Sequence, residues 1–141
     1  MIRAVVDPGV LTAGLISPTG PPAVILLAWR EVRFDLIVCP MLLAEVGRAL
    51  AYPKVRRYVG ETEARRFLAA LERGALILSD PEEIPSVSRD PNDDYLMALA
   101  RDTGAHTLVS GDADLTTLAD PIPRVLSPRQ FLEALDETSA G

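Results

Sequence analysis

Of the side chains able to bind a metal, move a proton or attack a bond, this 141-residue sequence supplies one cysteine, one histidine and twenty acids. Cys39 has no partner for an intrachain disulfide and cannot build a thiolate metal cluster. His106 sits in a turn-like Gly-Ala-His-Thr stretch, which disfavours both a histidine-ligated zinc and a Ser-His-Asp triad, and it reads as a surface or strand-edge residue. Any metal site must therefore be made of oxygen ligands. Four carboxylates are candidates: Asp7, Glu45, Asp93 and Asp112. Gathered in one place they would repel one another unless a cation sat among them. Magnesium and manganese accept such a donor set, keep several waters, and either activate water or clamp a phosphodiester. The chemistry this suggests is phosphodiester cleavage.

What must position these acids is a regular alternation of apolar runs and amphipathic stretches, the pattern of strands and helices taking turns around a parallel sheet. Strands are expected over residues 2–6, 34–39, 75–78, 107–110 and 124–126, and helices over about 22–29, 41–51, 62–73, 90–103, 113–119 and 128–135. Asp90-Pro91 supplies an N-cap and an N1 proline for the fourth of these helices, and Gly104 ends it. Pro8-Gly9 reads as turn chemistry, residues 16–22 and 79–92 as loops, and 137–141 as a disordered tail on a single domain spanning 1–136.

In open α/β sheets, ligands bind beyond the carboxyl ends of the strands, where the strand order reverses. Asp7 directly follows the first strand and Asp112 closes Leu108-Val109-Ser110-Gly111, so both fall at that edge, although Asp is also a common turn former and helix cap. Glu45 lies roughly 100° from the centre of the stripe formed by Leu42, Val46, Ala49 and Leu50, on its margin. Asp93 shares a face with Leu96, Met97 and Ala100 and is expected to point inward, whereas Asp94 aligns with Arg101 and is expected to point outward.

The net charge of −6 argues against a protein that grips nucleic acid through bulk positive potential, without excluding local contact. Lys54, Arg56, Arg57, Arg65 and Arg66 cluster, either as a solvated helix face or as a surface for RNA or a protein partner. With 48% hydrophobic and 24% charged residues the composition is that of a globular domain. No apolar run reaches the roughly 20 residues a membrane helix needs, and a cytoplasmic protein is expected.

Val5-Val6-Asp7, Leu43-Ala44-Glu45-Val46, Arg89-Asp90-Pro91-Asn92-Asp93-Asp94-Tyr95-Leu96 and Val109-Ser110-Gly111-Asp112-Ala113-Asp114-Leu115 occur in the order found in the PIN-domain family, and the sequence resembles that family over nearly its whole length. Within it, the closest likeness is to toxin components of toxin–antitoxin systems. The resemblance implies a three-layer α/β/α domain around a five-stranded parallel sheet, commonly homodimeric, that cleaves RNA with Mg2+ or Mn2+ and is restrained by a small antitoxin. It carries the ligand and catalytic roles to Asp7, Glu45, Asp93 and Asp112, with Ser110 and Asp114 in support. Arg56, Arg57, Arg65 and Arg66 are then candidates for contact with RNA or an antitoxin. One departure stands out: where the family usually follows its first acid with Thr or Ser and then Asn, this chain has Pro8 and Gly9. Loss of that hydroxyl and amide would leave Asp7 less well oriented, so reduced activity, or a non-catalytic PIN-like module binding RNA or protein, is the competing expectation.

Overall fold

The computed structural model describes residues 1–86 and 91–140. Its strands are β1 (Arg3–Val6), β2 (Asp35–Val38), β3 (Leu76–Ile77), β4 (Thr107–Val109) and β5 (Arg124–Leu126). The helices are α1 (Pro8–Ile16), α2 (Pro21–Arg30), α3 (Pro40–Ala51), α4 (Pro53–Arg56), α5 (Glu61–Gly74), α6 (Pro91–Asp102), α7 (Ala113–Thr116) and α8 (Pro128–Ala140). All five strands run parallel in the order β3-β2-β1-β4-β5. Ala4, Val5 and Val6 of the central strand are wholly inaccessible, as a strand covered on both faces must be, and this is why it reads as a continuous apolar run.

The chain moves from β1 through β2 to β3 in one direction, then jumps back to β4 and β5 on the other side of β1. Because parallel crossovers are right-handed, this reversal puts the helices that follow β1 and β2 on one face and α6 on the other. The packing agrees: α1, α2, α3, α5 and α8 form one contacting group, and α6 lies against β1 and β4. The result is the three-layer α/β/α arrangement expected from the alternation. α1 and α2 approach so closely that a Cβ on Gly14 would lie 2.7 Å from Leu26 Cδ1 and 2.8 Å from the Pro22 carbonyl oxygen.

Three local expectations are corrected. Pro8-Gly9 does not make a turn but opens α1, with Asp7 as N-cap. The helix carries apolar or small residues all round, so it shows no stripe by which to recognise it. α4 also went unpredicted, being a single turn begun by Pro53. Finally, α8 continues through Ala140, past the residue at which the sequence ends it and over most of the expected tail. The proposed cap Asp90 lies outside the described residues, while Gly104 stands just past α6 with φ +68°, a backbone that glycine adopts without strain.

Phe34, just before β2, meets Phe131 of α8 edge to face, with ring centroids 5.0 Å apart at 84°; both side chains are fully buried. This pair fastens the last helix to the layer it joins. Phe131→Ala is expected to cost about 3–5 kcal/mol in a denaturant melt, the range for deleting a buried ring. A loss under about 1 kcal/mol would mean that α8 is not part of the cooperative unit.

Candidate active site

Ser110, the first residue beyond β4, is completely buried, and its hydroxyl joins the two acids that terminate neighbouring strands. Its Oγ donates to Oδ2 of Asp7 at 2.9 Å and accepts from the backbone amide of Asp112 at 3.0 Å. Asp7 prolongs β1, its own amide reaching the Val109 carbonyl at 2.9 Å, and its Oδ1 accepts from the Gly9 amide at 2.8 Å to cap α1. Asp112 repeats the device one strand away, its Oδ1 accepting from the Asp114 amide at 2.8 Å to cap α7. Both acids are therefore helix caps and also sit at the β1/β4 point where the strand order reverses.

Asp7, Asp93 and Asp112 line one cavity of about 440 Å³, together with Gly9, Val10, Ala13 and residues from α2 and α8. Burial is the main cause that raises the Asp7 carboxyl above its ordinary 3.8; the charge of Asp112 adds to it, and the hydrogen bonds from Gly9 and Ser110 oppose it. Asp112 is lowered, first by a side-chain hydrogen bond with Asp93 and then by the Asp114 amide. Asp7 and Asp112 thus act on each other as like charges across one cavity.

Asp93 faces the cavity as the helical face predicts, but Asp94 does not face solvent: it is only 4% exposed. The reason is that α6 is covered nearly all round, with every residue from 94 to 100 buried, so there is no outward face for Asp94 to occupy. Glu45 stands beside the cavity rather than in its lining, and its Oε1 accepts from the hydroxyl of Tyr95 at 3.2 Å. Its helix is fixed at the start by Asp80, whose Oδ1 accepts from the Met41 amide at 2.9 Å. Asp80 also shares a hydrogen bond with Cys39, whose thiol is pushed up to about 11, chiefly by burial.

The chain residues matching the PIN-domain family model run from 3 to 114, and so include every one of these acids. The chain belongs to the PIN-domain family. It is 29% identical over 146 aligned positions to the uncharacterized protein MJ1680 of Methanocaldococcus jannaschii, covering 96% of this chain and 93% of that protein. Among solved structures it resembles PAE2754 from Pyrobaculum aerophilum, with a TM-score of 0.65 at 20% identity over 96% of this chain and 90% of that one. It also resembles a chain of VapBC2 from Rickettsia felis, a complex solved bound to a DNA fragment from their promoter, with a TM-score of 0.59 at 11% identity over 89% and 98% of the two chains. PIN domains are generally nucleases that use divalent metal ions.

The residues of this PIN domain fit such an ion in kind. The donors that Asp7, Asp93 and Asp112 bring to the cavity are carboxylate oxygens, the kind that hard divalent cations take. Among the described residues no three acidic, cysteine or histidine side chains close around a single point.

Pro8 and Gly9 do not leave Asp7 unsupported. The Gly9 amide holds one carboxylate oxygen and Ser110 the other, so the basis for expecting a poorly oriented first acid is removed. Asp114 contributes its backbone amide. The basic cluster is not brought to the acids: none of Arg56, Arg57, Arg65 and Arg66 lines the cavity, Arg57, Arg65 and Arg66 being exposed and Arg56 half-buried. His106 accepts at Nδ1 from the Arg3 amide at the opposite, amino edge of the sheet. Sequence reasoning overlooked Tyr95 and Asp80; only Tyr95 left a signal, standing two residues beyond Asp93 on a helix entering the site.

A carboxyl raised by the fold favours folding below 3.8, and that advantage is lost as pH rises through its folded value. At neutral pH the charged Asp7 thus weakens the metal-free PIN domain. Asp7→Asn is expected to raise the metal-free Tm by a few degrees at about pH 7, an advantage that disappears once the pH falls below 3.8. Thermal melts of both proteins across that range check it; a lower Tm for the variant at neutral pH would contradict it.

Proposed function

We propose that this PIN domain is an Mg2+- or Mn2+-dependent endoribonuclease and the toxin component of a toxin–antitoxin pair. The observation that carries the reading is the convergence of Asp7, Asp93 and Asp112 on one cavity at the β1/β4 reversal, with Glu45 beside it. These four acids would hold the ion, which when bound supplies an activated water and neutralises charge on the phosphodiester. The chain's own residues prepare the place. Ser110 keeps the ends of β1 and β4 in register, and the Gly9 and Asp114 amides aim Asp7 and Asp112.

The toxin reading is supported by the sequence resemblance and by the structural likeness to a chain of VapBC2. Exposed Arg57, Arg65 and Arg66 offer a surface to an acidic antitoxin segment, and two copies of the chain form the working unit. Among the described residues no single helix is long and apolar enough to cross a membrane.

The test is cleavage of single-stranded RNA by the purified chain with Mn2+ or Mg2+, against a chelator control. Asp93→Asn is expected to lower the rate at least about 100-fold, the scale for losing a group on which charge stabilisation depends. Asp102→Asn, on the exposed end of α6, serves as the comparison and keeps the parent rate. Because ligating carboxyls must be deprotonated and burial raises that of Asp7, Mn2+ affinity should rise as the pH climbs from below 3.8. RNA cleavage that survives both chelation and Asp93→Asn would overturn the proposal.

A further inference from the structure

We infer that Tyr95 is a positioning residue for the candidate metal site: its hydroxyl fixes the Glu45 carboxylate at the cavity margin and ties α3 to the helix that carries Asp93. The inference rests on the reading of the acids as metal-binding. Tyr95 is 5% exposed and follows Asp93 by two residues on α6, while Glu45 belongs to a helix fifty residues earlier. Between them stands the 3.2 Å hydrogen bond from the phenol to Oε1. The buried ring needs no hydroxyl in order to pack, since phenylalanine would fill nearly the same space. A polar atom in such surroundings is costly unless it has a partner, and the partner here is a candidate ligand.

The backbone under Glu45 is pinned where Asp80 caps α3, while its side chain turns about several bonds, so a hydrogen bond at the carboxylate narrows what it samples. Tyr95 is held by the packing of α6 against β1 and β4 and can hand that rigidity on. Two residues before it on the same helix, Asp93 lines the cavity. Support of this kind around ligating carboxylates typically governs metal affinity by about 10–100-fold.

Tyr95→Phe removes one oxygen and keeps the ring. Measured on the full chain, Mn2+ binding by calorimetry should weaken about 10-fold or more. kcat for RNA should fall with little change in KM, and the metal-free Tm should stay within a few degrees of the parent. In a Glu45→Ala background the same substitution should have no further effect on Mn2+ affinity, since the group through which it acts is already gone. Undiminished Mn2+ binding by Tyr95→Phe would overturn the inference, and so would an equal loss in the Glu45→Ala background, which would place the role elsewhere. A parent chain that binds Mn2+, and loses it on Asp93→Asn, keeps the metal reading whatever Tyr95 does. A parent that binds none removes both.

Discussion

One buried hydroxyl, that of Ser110, sets the geometry of this carboxyl edge. It contacts both strand-terminating acids, accepting from the backbone of one and donating to the side chain of the other. A hydroxyl can do this because it is donor and acceptor at once; alanine could do neither and valine would add bulk where the β4 terminus has none to spare. Through it, Asp7 and Asp112 are located by the register of two paired strands rather than by loops, and a site built on such elements is held more closely than one built on loops alone.

The same edge gathers like charges. Burial and the charge of Asp112 raise Asp7, and Tyr95 is raised by burial and by Glu45. In a protein selected only for stability these groups would be replaced by apolar ones or paired with arginine. Among the described residues no basic side chain lines the cavity: Arg33 bonds Asp136, Arg101 bonds Asp102, and the arginines of α4 and α5 stay off it.

Much of this was legible in the sequence, and what was missed has identifiable physical reasons. The central strand could be read because a strand covered on both faces needs an unbroken apolar run such as Ala4-Val5-Val6, and Asp7 because it stops that run abruptly. The helical face of Asp93 was correct since its apolar neighbours define the side packed on β1 and β4. Asp94 was misjudged because face arguments assume that a helix has a wet side, and α6 lacks one over residues 94–100. α1 was lost for a related reason: Asp7-Pro8 carries the same cap-and-proline signature recognised at Asp90-Pro91, but the apolar helix behind it has no periodicity to confirm the start. The Tyr95–Glu45 and Asp80–Met41 bonds join segments far apart in the chain, and no local pattern announces such partners.

Asp7 and Asp112 each serve twice, as a candidate ligand and as the residue that satisfies the first amides of a helix. This double duty constrains how the family can drift. A lineage released from selection for catalysis could shed the negative charge at either position, yet the exposed amides of α1 and α7 would still need an acceptor, so the tolerated replacements are Asn, Ser and Thr rather than the full alphabet. Decayed members should therefore keep polar residues at both positions long after activity is gone, and a polar residue there is a record of folding demand and not of function. The informative position in judging whether a relative still works is one whose side chain has no backbone to hold.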